Sequence, residues 1–295
     1  MDSSLLMARI LYVVMWIVLI FLIAVLISCI CNYFVIDVSK YSITSGKIPS
    51  AFNGYKILQL SDLHDMSFGK DNSKLLKKIE EINPDIIVMT GDMVNANTKN
   101  FNKFYSFSKE IVKNYETYYI MGNHEMRLTG KEQLDILQKL NSFGVKVLNN
   151  KKAFLSKDNE IITLYGLHQP ISSYKNALKN NVETDFILAD MERTFSNIDN
   201  NSFNILLSHS PFDFEVFEKW GADLVLSGHV HGGLIRLPFI GGILSPERTF
   251  FPKYDAGEYT INDSKMIVNR GLGNGTINLR IFNHPEVCVI ELNSK

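Results

Sequence analysis

The sequence predicts an α/β domain with two packed sheets, carried behind one N-terminal membrane helix. Short apolar runs of strand length alternate with helix-spaced segments through the body of the chain. Beyond them the chain turns rich in short strands, and that order argues two sheets in layers. Ahead of both, Ile10–Ile30 contains no charged residue.

Composition sets the outer bounds. The 295 residues are 46% hydrophobic and 21% charged, with a formal net charge of -1. This is ordinary globular usage without low-complexity bias. A near-neutral chain gives no electrostatic reason to expect nucleic acid, so no such partner is expected. Cys29, Cys31 and Cys288 make no disulfide framework and leave the redox compartment open.

Taken as a helix rising about 1.5 Å per residue, the uncharged run spans roughly 30 Å, the depth of a bilayer core. Tyr12 and Trp16 lie near its start, where aromatic residues favour the interface. A cleavable signal peptide is the rival reading, but its apolar region is normally only about 7–15 residues. Leu26-Ile27-Ser28-Cys29 resembles a lipoprotein cleavage box, yet the apolar character continues through Ile30 and Cys31. The expectation is an uncleaved, single-pass anchor over residues 10–31 in the cell membrane. A tail of nine residues precedes it, residues 32–53 read as a linker, and residues 54–295 form one domain. So short a tail fits a signal anchor, which places the domain on the extracytoplasmic face.

Within the domain, Tyr55–Ser61 reads as a strand running into Asp62-Leu63-His64. Leu75, Leu76 and Ile79 have helical spacing, and Pro84 marks where that helix has ended. Asp85–Thr90 is a second strand, closing on Gly91-Asp92; Phe101–Tyr115 reads as a helix. Thr117–Met121 is a third strand, ending in Gly122-Asn123-His124-Glu125, with a helix over Lys131–Phe143 and a short strand over Val145–Leu148 to follow. Ala153–Ser156 and Glu160–Leu164 form a hairpin around a turn-rich cluster. Asp185–Phe195 reads as a helix, Phe203–Ser208 as a strand ending in His209, and Asp213–Trp220 as a helix. Asp223–Ser227 then leads into Gly228-His229-Val230-His231-Gly232-Gly233. Gly257–Ile261, Lys265–Asn269 and Val287–Leu292 are the closing strands. In extended backbone residues i and i+2 share a face, so His229 and His231 are expected to point into one site.

Five strand-ends therefore finish in polar residues of only three kinds: Asp62 and His64, Asp92, Asn123 and His124, His209, and His229 with His231. Ligands of open α/β sheets gather outside the carboxyl ends of the strands. Oxygen and imidazole donors without thiolate suit Mn, Fe, Co or Zn. Seven candidate ligands exceed the need of one tetrahedral ion, so two divalent ions sharing a bridge are expected. Two ions about 3.5–4 Å apart clamp a phosphoryl group and acidify a bridging water. Only Asp62 and Asp92 are anionic, so the loaded site would be net positive and would favour an anionic substrate.

These segments match, in order, the five motifs of the calcineurin-like metallophosphoesterases, over about residues 55–235. Ser61-Asp62-Leu63-His64 and Gly228-His229-Val230-His231-Gly232-Gly233, with an N-terminal membrane segment, are similar to the bacterial branch grouped with UDP-2,3-diacylglucosamine hydrolases. The resemblance implies a four-layer α/β/β/α sandwich and a dinuclear centre. It implies Asp62, His64 and His231 on one metal, Asn123, His209 and His229 on the other, and Asp92 bridging. His124 would not ligate but would face the leaving-group oxygen. The protein phosphatases of the superfamily read Gly-Asp-x-Val-Asp-Arg-Gly where this chain reads Gly91-Asp92-Met93-Val94-Asn95-Ala96. The Asp that would orient the catalytic histidine is thus Asn95, which argues against a protein phosphatase.

The implied activity is hydrolysis of a phosphomonoester, phosphodiester or pyrophosphate bond, on a small-molecule, lipid-linked or envelope substrate. A nucleotide or cyclic-nucleotide phosphodiesterase is the alternative within the class, and a tethered metal- or phosphate-binding module without turnover the alternative outside it. Arg236 is the candidate substrate contact, since guanidinium forks suit phosphate, with a surface salt bridge as its plain alternative. Glu125 is expected to support its loop through backbone hydrogen bonds, and His168 and His284 to be ordinary loop residues. Leu234, Ile235, Leu237, Phe239 and Ile240 could wall a lipid-facing groove in a membrane-tethered enzyme, but the expectation is that they pack in the core.

Overall fold

The computed structural model describes residues 3–31, 35–174, 181–196, 198–237, 239–245, 249–275 and 280–295. It opens with helix α1 (Ser3–Cys31), long and apolar enough to cross a membrane. Strand β1 (Asp37–Ser45) follows, then β2 (Tyr55–Leu60), α2 (Ser73–Ile82), β3 (Ile86–Met89), α3 (Asn102–Ile111) and β4 (Glu116–Tyr119). A one-turn helix α4 (Asn123–Met126) precedes α5 (Gly130–Phe143) and β5 (Lys146–Val147). The hairpin β6 (Lys151–Lys157) and β7 (Glu160–Gly166) leads to α6 (Asn181–Phe195), β8 (Asn204–Leu207), α7 (Phe214–Trp220) and β9 (Leu224–Ser227). Strands β10 (Ile235–Leu237), β11 (Gly241–Leu244), β12 (Gly257–Ile261), β13 (Ser264–Val268) and β14 (Glu286–Ser294) close the chain.

The strands build two six-stranded sheets, ordered β1-β14-β2-β3-β4-β5 and β12-β13-β9-β8-β7-β6, with β10 and β11 paired apart from both. Three apolar clusters define the layers. Ile57, Val88 and Tyr118 of the first sheet pack on Leu164, Ile205 and Leu226 of the second, forming the inner core. The outer face of the first sheet, with Leu58, Ile87 and Tyr119, is covered by Leu75, Phe104 and Leu140 from α2, α3 and α5. Leu206, Val225 and Met266 on the far face of the second sheet are covered by Met191, Phe217 and Trp220 from α6 and α7. Strands buried on both faces read as unbroken apolar runs, which is why Ile86–Met89 and Asn204–Leu207 are legible as sequence. The fold is thus the expected α/β/β/α sandwich.

Part of the stretch expected to be a linker is instead a strand. Residues 37–45 pair in parallel with β14 over nine positions, from Asp37 with Glu286 to Ser45 with Ser294. β1 is an edge strand, and Ile43 is its one buried residue. Serine and lysine on the other positions hide the pattern. The core expectation for the segment after Gly233 also fails in part, because Phe239 and Ile240 are exposed. They lie at the tip of the β10–β11 hairpin, outside both sheets.

Phe217, fully buried between α7 and the second sheet, tests the outer layer. Phe217→Ala is expected to cost about 3–5 kcal/mol, the range for deleting a buried phenyl ring. Denaturant unfolding monitored by circular dichroism measures it.

Candidate metal centre

All five polar strand-ends converge where the two sheets meet. β2, β3 and β4 run parallel in the first sheet, and β8 runs parallel to β9 in the second. Their carboxyl ends therefore open on the same side, and Asp62, His64, Asp92, Asn123, His209, His229 and His231 are all buried there. Donor atoms of Asp62, His64 and His231 lie within 4.8 Å of one another, as do those of Asp92, His209 and His229. His64, Asp92 and His124 satisfy the same criterion, so His124 borders the donor cluster.

The backbone reaches this arrangement through turns rather than extended strand. Asp62, His64, Asp92, His229 and His231 all have left-handed φ, between 47° and 73°. Asp and His tolerate that region better than most side chains, though it still carries strain, and such strain gathers at functional sites. The extended reading of His-x-His is therefore corrected. Val230 N–H bonds Gly228 O (2.9 Å), closing a tight turn around His229. The chain coils at this point, so His229 joins Asp92 and His209 while His231 joins Asp62 and His64. Asn123 and His124 sit in the first turn of α4, not at a strand-end.

Glycine makes the close approach possible. A Cβ on Gly228 would strike Ser61 Oγ and Asp62 Oδ2, and one on Gly122 would strike the Asp92 carboxylate. A Cβ on Gly275 would stand 3.2 Å from His231 Nε2 and 3.8 Å from His64 Nε2, directly over that pair.

Hydrogen bonds behind the histidines decide which nitrogen carries a lone pair into the cluster. His209 Nδ1 donates to Thr90 O (2.7 Å), so Nε2 presents its lone pair 3.1 Å from Asp92 Oδ2. That nitrogen is buried without a hydrogen-bond partner, as is Asn123 Oδ1. Asn95 Nδ2 donates to His64 O (2.9 Å), which fixes the amide so that its Oδ1 accepts from His64 Nδ1 (2.9 Å). His64 Nε2 then faces His231 Nε2 at 3.2 Å and Asp62 Oδ1 at 3.8 Å. His229 Nε2 donates to Tyr174 O (3.2 Å), leaving Nδ1 as the lone-pair nitrogen. Lone pairs converging on carboxylate oxygens call for positive charge between them, and the all-N,O donor set fits borderline divalent metals.

The electrostatics agree. Burial holds the His64 imidazole down to about 3 and drives His231 well below its ordinary value, so both stay neutral donors. Burial also opposes charge on His209, yet Asp92 and Asp62 override it and push that imidazole up to about 10, so the two carboxylates favour a cation on the Nε2 lone pair, whether a proton or a metal ion. Burial works against the Asp92 charge, but the neighbouring imidazoles, His209 foremost, hold its carboxyl well below the usual range.

Glu125 does what was expected of it. Its Oε2 accepts from Asp92 N and Gly122 N (both 2.9 Å), and Oε1 from Met93 N (2.7 Å) and Val94 N (3.2 Å). The Asp92 turn is thereby fastened to α4. Asn95, which stands where the protein phosphatases carry the orienting Asp, holds His64 and not His124. His124 Nδ1 instead accepts from Ala96 N (3.2 Å). Arg236 sits on β10 and donates to Asp255 Oδ2 (2.7 Å) and Gly232 O (3.3 Å), the salt-bridge alternative.

The guanidinium in contact with the cluster belongs to Arg280, which sequence reasoning missed. Its NH2 group lies 3.1 Å from His231 Nδ1 and donates to Arg270 O (2.7 Å) and Gly273 O (2.6 Å). Those carbonyls belong to the 270–275 loop, which packs on the Asp62 turn through Leu272 N to Ser61 O (3.0 Å) and Gly273 N to Asp62 O (2.5 Å). Its one sequence signal was an arginine within a glycine-rich, otherwise uncharged stretch.

Residues 55–233 match the model of the calcineurin-like phosphoesterases. The chain belongs to that family, and is a hydrolase of phosphoester bonds. Among its relatives, the Bacillus subtilis metallophosphoesterase YkuE is 30% identical over 88% of this chain and 86% of its own length. A metallophosphoesterase of Aquifex aeolicus is 30% identical over 90% of this chain and 94% of its own. The UDP-2,3-diacylglucosamine pyrophosphatase LpxG of Chlamydia muridarum is 26% identical over 83% of this chain and 86% of its own.

Glu125→Gln tests the support of the Asp92 turn. An amide NH2 would replace an acceptor that now faces two backbone N–H groups, at about 1–3 kcal/mol for each donor left unsatisfied. The variant is expected to melt earlier and to retain less metal by elemental analysis, although residue 125 offers the cluster no ligand atom.

Proposed function

We propose that this chain is a membrane-anchored dinuclear phosphoesterase that hydrolyses a phosphoester or pyrophosphate bond of an envelope or lipid-linked substrate. One observation carries the reading: two buried donor triads, Asp62–His64–His231 and Asp92–His209–His229, meet around Asp92. Asp92 Oδ1 accepts His124 N–H (2.7 Å), while Oδ2 lies 3.8 Å from His64 Nε2 and 3.1 Å from His209 Nε2. That position between the triads supports Asp92 as the bridge. Asn123, its buried Oδ1 without a hydrogen bond, would join His209 and His229 in holding the second ion.

Divalent ions such as Mn, Fe, Zn or Co, when bound, supply Lewis acidity toward phosphoryl oxygen and acidify a water near neutral pH. The chain's own residues do the rest. Buried histidines and carboxylates fix the positions in advance, so no reorganisation accompanies charge development. His124, accepting the Ala96 N–H at Nδ1, carries its proton on Nε2. That N–H would donate a hydrogen bond to the leaving oxygen and stabilise the charge growing there, keeping its proton. Burial lowers the His124 imidazole, consistent with a neutral donor.

The anchor reading draws support from α1, whose uncharged residues 10–23 are exposed apolar surface. The relative named a UDP-2,3-diacylglucosamine pyrophosphatase supports a lipid-linked substrate with a pyrophosphate bond. The domain spans residues 54–295 in this reading, with β1 added to its first sheet, and faces the extracytoplasmic side.

Purified full-length chain reloaded with Mn is expected to hydrolyse generic nitrophenyl phosphate mono- or diesters; inactivity on both would contradict the proposal. Asp92→Asn is expected to lose metal and activity together. His124→Asn is expected to keep its metal and lose about 10²–10³-fold in kcat, the range for removing one hydrogen-bond donor to transition-state charge.

A further inference from the structure

The end of α1 is docked on the catalytic domain beside the metal centre. Along the helix Ala24 and Val25 become half-buried and Ser28 buried. Ser28 Oγ accepts from Phe282 N (2.6 Å), and Cys29 Sγ approaches Arg280 O (3.7 Å). From Ile10 to Ile27 the helix rises about 27 Å at 1.5 Å per residue, close to a hydrocarbon core of about 30 Å. The membrane surface therefore falls at the level of Ser28 and Phe282.

Phe282 continues into a cavity of mixed lining, where Arg236, Asp255 and Arg270 stand beneath apolar side chains. With Phe239 and Ile240 it lines that cavity, of about 660 Å³. Phe239 is fully exposed, and Ile240, Phe250 and Phe251 are more than half exposed. Phe250 and Phe251 are tied to β11 through a bridge from Leu244 to Phe250 and a bond from Phe251 N to Ile243 O (2.9 Å). Four large apolar side chains thus stand on one small hairpin and its neighbour. Phe239 and Phe251 also hold left-handed φ of 67° and 49°, a region bulky residues seldom adopt. Single exposed apolar residues need no explanation, but a grouped patch marks an interaction surface.

We infer that the β10–β11 hairpin and the Phe250–Phe251 segment form a second membrane contact, seated in the interfacial layer of the bilayer that α1 enters. The inference rests on the membrane-anchored reading of α1. Continuity selects the occupant: Phe282 touches both the anchor's last turns and the cavity beneath Phe239 and Ile240. Aromatic side chains favour the interfacial layer, and burying them there adds to a single anchor. Arg280, two residues before Phe282, touches His231. Two membrane contacts would hold that end of the metal cluster at headgroup level.

Tryptophan quenching in vesicles tests this with the full-length chain. The protein is reconstituted in mixed phosphatidylcholine–phosphatidylglycerol vesicles, with and without lipids brominated near the top of the acyl chain. Trp16 on α1 reports the anchor, whereas Trp220 is buried in the domain. Phe239→Trp is compared with Phe154→Trp on edge strand β6, also exposed. The emission added at 239 is expected to be blue-shifted and to lose most of its intensity with brominated lipid, while that added at 154 is unaffected. Emission at 239 that resembles 154 overturns the inference, as does blue-shifted but unquenched emission, which would mean a protein partner such as a second copy. Unquenched parent emission overturns the anchor, and the inference with it.

Discussion

Asp92 holds a negative charge inside the protein, with 1% of its surface exposed. A buried carboxylate is tolerated only when its oxygens are occupied. One oxygen takes the His124 backbone N–H, and the other faces imidazole nitrogens contributed by both sheets. Its own N–H is held by Glu125. Remove that charge and the imidazoles that follow β2, β8 and β9 lose the carboxylate with which they would share a cation. The layered fold, the glycine contacts and the left-handed turns all deliver donors to that point.

Strain and support are distributed in a consistent way. Asp62, His64, Asp92, His229 and His231 take left-handed φ, as does the supporting Asp65, while Asn95, Thr90 and Arg280, which hold the histidines from behind, do not. Asn95 fixes His64, Thr90 fixes His209, Tyr174 fixes His229, and Arg280 lies against His231. The contacts from Asn95, Thr90 and Tyr174 orient the ring nitrogens and set their tautomers, whereas Arg280, a donor only, packs against His231. Asp65 extends these contacts, accepting from Asn95 N (3.2 Å) and pairing with Thr98.

The layers were legible because strands buried on both faces cannot avoid continuous apolar runs, as in Ile86–Met89. The cluster was legible because short polar groups follow those runs at five places. What could not be read were features whose partners lie far along the chain. β1 shows mostly polar residues, and its ladder partner is the last strand, more than 240 residues on. Arg280 reaches His231 across 49 residues. The two-residue period that suggested one face for His229 and His231 fails because Gly228 and Gly232 allow a coil where a strand was assumed. Asn95 stands at the motif position of the orienting Asp, yet its amide lies beside His64, the residue its backbone packs against.

The central claim is that two triads hold two separate ions with Asp92 between them. Diffraction at the manganese absorption edge from crystals of Mn-loaded protein tests it most directly. The account predicts two anomalous peaks, one against Asp62, His64 and His231 and one against Asn123, His209 and His229, both touching Asp92. A single peak bound by His229 and His231 together would contradict it.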